Sequence, residues 1–450
     1  MIKELAIDAM SWVPWIIIPL LMEFIPSIGN FLLLLIKKFI RKKDVIIEKL
    51  PDITLIIPVY NSQETLRGCL KSVNDSSYPN HLIDILLVDN KSKDNSFQVF
   101  IECQKEFPTL SMRWTHSQQG KSKALNLALF NATCKYIINI DSDGKLEKNA
   151  LYNMVKKFES NENTHCMTGA ILTDPDLIRE TKPFLLRQIQ KIEFMEYAQA
   201  FLAGRNFDSE LNNIFTLSGA FSAFRKSTIL SSQMYNTETI CEDAHLTFQI
   251  KQNLKQRVEF CEDAIFIVDP IESSNKLYTQ RQRWQIGELE VFHMFYKEKR
   301  MNFLNFFTNK NIRLLFFDHT FAFPRIIWYF ALIAVSLESY YDIKVILIAN
   351  LLIYICYFFT HVLYYISNCL FLSKFKEIRK EYANKFLYLT LLPLYNLVVF
   401  FIRVAGIINS ITRPSTWKTY TFTEEIQIIK NQIISDLSFE WLKNKKKEEK

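Results

Sequence analysis

The chain has 450 residues, 49% of them hydrophobic and 37 of them Phe, enough for one large domain with further elements or for two domains. Apolar residues concentrate at both ends around a mixed middle, and the net charge of +7 comes from Lys and Arg clustered beside the apolar stretches. That pattern points to a membrane surface and away from nucleic acid, for which no module is recognisable. The eight cysteines include no CxxC pair, which argues against a zinc site and fits reduced thiols in a cytoplasmic domain.

Residues 12–36 are apolar except for Glu23, long enough to cross a hydrocarbon core, and no small-residue cleavage site marks them as a signal peptide. Lys37, Lys38, Arg41, Lys42 and Lys43 follow, so this end and the domain after it are expected to be cytoplasmic. Residues 50 to about 300 carry an α/β pattern. Thr54–Val59, Ile83–Val88 and Tyr136–Ile140 are apolar strand candidates, with helical patterns over Glu64–Val73, Asn95–Phe107 and Lys121–Phe130 between them. Alternating strands and helices predict a mostly parallel sheet, which binds ligands at the carboxyl ends of its strands. Each strand runs into polar residues there: Tyr60-Asn61, Asp89-Asn90 and Asp141-Ser142-Asp143. Turn chemistry accounts for any one such cluster, less readily for three on successive strands.

The last third returns to membrane character. Residues 320–337, 345–372 and 386–411 are candidate spans, the first interrupted by Arg325. The basic loop Lys374–Lys385 should face the cytoplasm, yet three spans would place the basic tail Lys443–Lys447 outside. One of the three segments is then re-entrant or interfacial, and the sequence leaves open which. The organisation expected is an N-terminal transmembrane helix with its basic flank (1–45), a catalytic domain (46–300), C-terminal membrane and interfacial helices (301–412) and a basic tail (413–450).

Five constellations have chemical potential. In extended chain, residues two apart point the same way, so Asp141 and Asp143 can share one site and offer hard oxygens to Mg²⁺ or Mn²⁺; the alternative is a capped turn. Asp89 ends a strand and can accept a hydrogen bond from a base or ribose, while Asp94 caps the next helix. Gly120-Lys121 opens a helix, a setting that favours phosphate; the alternative is a solvated helix start. Glu242 and Asp243 precede a helical pattern, where an Asp can take a proton from a hydroxyl or cap the helix. Cys261-Glu262-Asp263 repeats that tripeptide but runs into a strand pattern, a structural setting. Last, Gln280-Arg281-Gln282-Arg283-Trp284 combines a bidentate phosphate binder at Arg283 with a flat apolar face at Trp284; the alternative is an interfacial helix.

In order, Ile57-Pro58-Val59-Tyr60-Asn61, Val88-Asp89-Asn90, Gly120-Lys121, Asp141-Ser142-Asp143, Ser218-Gly219-Ala220, Cys241-Glu242-Asp243 and Gln280–Trp284 resemble glycosyltransferase family 2. The likeness is to its membrane-embedded processive branch, the synthases of cellulose, hyaluronan, chitin oligosaccharide and poly-N-acetylglucosamine. The resemblance implies a GT-A-like α/β domain set between transmembrane helices. It also implies an inverting transfer of a sugar from a nucleotide sugar, usually a UDP-sugar, with Mg²⁺ or Mn²⁺. On that likeness Pro58, Tyr60, Asn61, Asp89, Lys121, Asp141, Ser142, Asp143 and Arg283 bind the nucleotide sugar, and Asp143 and Asp141 hold the metal. Asp243, beside Glu242, is the catalytic base. Ser218, Gly219, Gln280 and Trp284 line the acceptor side. Implied partners are the donor, a saccharide or lipid-linked acceptor, membrane lipid and accessory subunits. Asn90 departs from the second Asp often found after Asp89, and no clear gating motif follows the last apolar segment, with Arg413–Thr419 a candidate for that place. A single-sugar transferase acting on a lipid shares every donor-site residue with a polysaccharide synthase. A non-enzymatic scaffold would not need Asp141, Asp143 and Asp243 together.

Overall fold

The computed structural model describes residues 24–40, 47–297, 343–412 and 420–431, together with positions 334 and 434. Eight strands form one sheet: β1 Ile53–Val59, β2 Ile83–Asp89, β3 Ser111–His116, β4 Tyr136–Ile140, β5 Gly144–Leu146, β6 Cys166–Thr173, β7 Phe221–Arg225 and β8 Val258–Val268. Their spatial order is β3-β2-β1-β4-β7-β6-β8-β5. β3, β2, β1 and β4 run parallel, β7 runs against β4 and β6, β8 runs with β6, and β5 runs against β8. The sheet is therefore mostly parallel, as the alternation of strands and helices predicts, with β7 and β5 reversed.

The principal helices are α1 Ile25–Phe39, α2 Leu66–Asn74, α3 Ser96–Glu106, α4 Lys121–Asn131, α5 Ala150–Ser160, α6 Phe184–Ala198, α7 Glu242–Phe248, α8 Ser274–Tyr296, α9 Ile343–Phe371 and α10 Leu392–Thr412. They cover both faces of the sheet. α2, α3 and α5 pack through Leu66, Leu70, Phe100 and Leu151 on the face carrying Ile53, Leu55 and Ile57. α4, α6, α9 and α10 pack on the face carrying Ile56, Leu86 and Ile137, through residues such as Leu125, Phe194, Phe371 and Val399. All seven residues of β1 are buried, which is why this strand appears in sequence as an unbroken apolar run rather than an alternating one.

Two described helices, over Asn350–Lys374 and Leu392–Ile411, are long and apolar enough to cross a membrane. The apolar segment 386–411 does not form one helix: Phe386–Thr390 is a tight 3₁₀ turn, and α10 starts at Leu392 with Pro393 in its first turn, where a missing N–H costs nothing. The candidate span 12–36 is described only from Phe24, and 320–337, Arg413–Thr419 and Lys443–Lys447 fall outside the described residues apart from position 334. α1 meets α9 through polar contacts, with Asn30 Nδ2 donating to the Tyr364 hydroxyl at 2.9 Å and Ser27 Oγ 3.4 Å from Thr360 Oγ1. α10 packs closely on α8 at Gly406, where a Cβ would sit 3.3 Å from Gln285 Cβ and 3.4 Å from Gln282 Cα.

Glu193 of α6 is 1% exposed, and its Oε2 accepts the Ile271 N–H at 3.0 Å, fixing the segment that leads into α8. Burial pushes its carboxyl up to about 7, although that bond and Arg281 pull the other way. A carboxyl raised in the folded state contributes stability that is full below its unfolded value and is lost as pH rises through the folded one. Glu193→Gln is therefore expected to raise the thermal midpoint above pH 7 and to leave it unchanged below about pH 4.5, a gain on the order of 1–3 kcal/mol at high pH. Equal midpoints for both proteins at pH 8 would contradict it.

Candidate active site

Parallel pairing places the carboxyl ends of β1, β2 and β4 on one edge, so Tyr60-Asn61, Asp89-Asn90 and Asp141–Asp143 come together there. β7 runs the other way and begins where β4 ends, with Ile140 opposite Phe221. Its reversal delivers Ser218–Ala220 to the same edge, and Asp141 N–H donates to the Ala220 carbonyl at 3.1 Å.

Lys121 is the centre of this edge. Gly120 precedes it with φ +132°, a conformation open to glycine, and donates its N–H to Asn90 Oδ1 at 2.5 Å. That bond fixes the start of α4 to the end of β2. Lys121 Nζ lies 2.5 Å from Asp141 Oδ1 and donates to the Gly219 carbonyl at 3.3 Å. Burial alone would pull its ammonium down, but Asp141, Glu242 and Asp243 together hold it well above its ordinary value. On the far side of the same turn, Gly219 N–H donates to Asp243 Oδ2 at 3.0 Å. A Cβ at Gly219 would stand 3.1 Å from that oxygen, so a side chain there would crowd the carboxylate. Asp141, Lys121, Gly219 and Asp243 thus form one hydrogen-bonded span, linking residues more than 100 positions apart.

Asp143 is exposed just past the carboxyl end of β4. The surrounding protein and the charge of Asp141 push its carboxyl up to about 6 against the pull of Lys121. Among the described residues no Lys or Arg pairs directly with Asp143 and no three His, Cys, Asp or Glu side chains form a metal cage. Two neighbouring carboxylates, Asp141 paired with the Lys121 ammonium and Asp143 exposed without such a pair, are a donor set that suits a hard divalent ion completing its shell from phosphate and water. Glu242 is buried at the start of α7, and burial raises its carboxyl, with Lys121 opposing and Asp243 adding to the rise. Asp243 also accepts the Ala244 N–H at 2.8 Å through Oδ1.

The remaining candidates occupy the rim. Pro58 is buried in β1 and Tyr60 is 48% exposed. Asn61 takes a positive φ of 50° and accepts the Lys93 N–H at 2.8 Å, and Ser62 Oγ lies 2.7 Å from Ser142 Oγ, tying the β1 and β4 ends together. Asp89 is buried, with Oδ1 accepting from Ser92 N–H at 3.0 Å and Oδ2 3.1 Å from His116 Nδ1. His116, largely exposed at the end of β3, is a site residue that sequence reasoning passes over. A short polar strand gives no hint of the Asp89 contact. Asp94, expected as a cap, accepts both Ser96 N–H and Ser96 O–H at the start of α3.

α8 carries Gln280–Trp284. Its arginines diverge: Arg281 is 1% exposed and lies 2.5 Å from Glu196, whereas Arg283 is half-buried. Trp284 is half-buried between the Arg281 guanidinium, 4.5 Å from its ring centre, and the Phe201 ring, 6.0 Å away and perpendicular. Gly287 brings α8 against Cys241, next to Glu242 and Asp243, since any Cβ there would fall 2.6 Å from Cys241 Cβ. Gln280 is half-buried, about two turns earlier on α8.

Residues 54–230 match the profile of Glycosyl transferase family 2. That stretch, less than half of the chain, is similar to family 2 glycosyltransferase domains. Similar curated proteins include the poly-beta-1,6-N-acetyl-D-glucosamine synthase of Staphylococcus aureus strain COL, 24% identical over 253 residues that make up 56% of this chain and 58% of that protein. The synthase of the same name from Staphylococcus epidermidis is 25% identical over 54% of this chain and 56% of the relative. The chain thus matches a little over half the length of these relatives. Among solved structures, a mannosyltransferase from Pyrobaculum calidifontis in complex with GDP-Man and Mn²⁺ superposes with a TM-score of 0.53 at 17% identity. The superposition covers 81% of this chain and 96% of that one, and it places the domain in the GT-A-like fold class.

Proposed function

We propose that this protein is an inverting glycosyltransferase that moves a sugar from a nucleotide sugar, with a UDP-sugar as the expected donor, to a growing polysaccharide at the membrane. The observation that supports this is the span from Asp141 through Lys121 and Gly219 to Asp243, which brings one ammonium and two carboxylates to one edge. As the bond from the sugar's C1 to the leaving oxygen breaks, negative charge builds on the diphosphate. Lys121 and Arg283 offer cationic character to it in a partly desolvated cleft. Asp143 and Asp141 would hold Mg²⁺ or Mn²⁺, which would supply further charge stabilisation to the diphosphate. Asp243 takes the proton of the attacking acceptor hydroxyl, and attack opposite the leaving group inverts the anomeric carbon. Asp89, with Tyr60 and Asn61, bounds the nucleoside end, and Ser218, Gly219, Gln280 and Trp284 bound the acceptor. Polysaccharide is preferred over a single transfer to lipid because the similar curated proteins are polysaccharide synthases by name. The helices α9 and α10, with Lys37 and Lys38 at the end of α1, support a multi-pass protein of the cell membrane with its catalytic domain in the cytoplasm.

The test uses purified full-length protein in detergent with a panel of labelled nucleotide sugars, UDP-N-acetylglucosamine first, with and without excess chelator. Transfer from one donor, products longer than one added sugar, and loss of both in chelator are expected. Activity undiminished by chelator would refute the metal role of Asp143, and a one-sugar product would replace the polysaccharide assignment.

A further inference from the structure

We infer that Arg205 is a positioning residue that couples the Trp284 side of the cleft to the turn holding Asp243. The inference rests on the function proposed above. Arg205 follows the π-helical turn Gln199–Gly204, an irregularity of a type frequent at functional sites, and begins the short helix Arg205–Glu210. Its side chain makes two directional contacts. Nη1 donates to Thr168 Oγ1 at 3.0 Å, and the guanidinium carbon lies 4.8 Å over the ring of Phe201.

Each contact leads to one side of the site. Phe201 packs edge-on against Trp284, so the guanidinium and the indole grip the same phenyl ring. Thr168, fully buried on β6, makes four hydroxyl contacts. It accepts from Arg205 and from the Ser218 N–H at 3.1 Å, and its one proton faces the Phe221 carbonyl at 3.0 Å and the Gly169 carbonyl at 3.4 Å. The next residue, Gly219, holds Asp243 Oδ2. A shift at Trp284 therefore reaches Asp243 through Phe201, Arg205, Thr168 and the Ser218–Gly219 turn. Burial opposes the charge on Arg205, and Asp243 is the strongest neighbour supporting it, ahead of Asp208. A guanidinium can stack with its face and donate in its plane at once, whereas an ammonium cannot do both.

The experiment uses the full-length protein in detergent, UDP-N-acetylglucosamine as donor and a short β-1,6-linked N-acetylglucosamine oligosaccharide as acceptor. Variants are Thr168→Val, Thr168→Ser, Arg205→Lys and the Thr168→Val/Arg205→Lys pair. Thr168→Val should lower kcat about tenfold or more with UDP affinity unchanged, because a small misplacement of a reacting group is costly. Thr168→Ser should restore kcat to within about twofold, since it returns the hydroxyl. Arg205→Lys should lower kcat and also raise the acceptor KM several-fold. The double variant should lose no more than the worse single, as expected of residues in one network. Wild-type kcat and acceptor KM in both single variants would overturn the inference, as would losses that multiply in the pair. UDP affinity and thermal midpoint separate misfolding from misplacement, and Arg205→Lys decides the matter if Thr168→Val does not fold. A wild-type protein inactive with every donor would instead refute the proposed function.

Discussion

Asp243→Asn is expected to keep nucleotide binding and to lose nearly all transfer. The amide is close in shape to the carboxylate, and its oxygen can still accept the Gly219 N–H that Asp243 Oδ2 accepts at 3.0 Å. What it loses is the acceptor that Oδ1 offers to the Ala244 N–H and the ability to take a proton. Loss of a general base costs about 10²–10⁴-fold, and the loss should fall on kcat. UDP titration and initial rates with labelled donor measure the two halves. Wild-type turnover in this variant would remove Asp243 from the mechanism.

Lys121→Gln is expected to damage binding and turnover together. Its ammonium is 2.5 Å from Asp141 and is held in its charged form by Asp141, Glu242 and Asp243, while Glu242 and Asp143 already titrate above their ordinary range. Without it, these carboxylates repel one another where a diphosphate has to enter. We expect kcat/KM to fall by about 10²-fold or more, since preorganised charge is commonly the largest single contribution at such sites. Lys121→Arg should recover only part of this, because a planar fork does not fill the place of a compact ammonium. An unchanged kcat/KM in Lys121→Gln would show that the Asp141–Lys121–Gly219 span has no part in the reaction.

The strands at the heart of the sheet were legible because burial on both faces writes itself as an apolar run. Ile53–Val59, Ile83–Asp89 and Tyr136–Ile140 match the expected segments to within a residue. Ends were less legible. The helix expected from Glu64 starts at Leu66, since Thr65 and Leu66 N–H groups both turn back to the Ser62 carbonyl. The reversal of β7 and the π turn at Gln199–Gly204 have no local signature in composition, yet the first delivers Ser218–Ala220 to the site. Lys121 appears as a phosphate partner, but its carboxylate contact lies 20 residues ahead, beyond α4 and β4. Arg281 and Arg283 look alike on paper, yet Arg281 is buried against Glu196, 85 residues earlier, and Arg283 is half-exposed. Pair partners at such separations are set by topology, which single-sequence periodicity does not encode.

Gly406 carries a practical consequence. With no side chain to hold them apart, α10 lies directly on Gln282 and Gln285 of α8. On the membrane placement proposed above for α10, the helix that bears Trp284 would have hydrocarbon chains for near neighbours, one helix removed. Extraction conditions that thin or strip those chains would then disturb the proposed acceptor side at Trp284 before they unfold the sheet. A preparation can pass every test of folding and still have lost its grip on sugar.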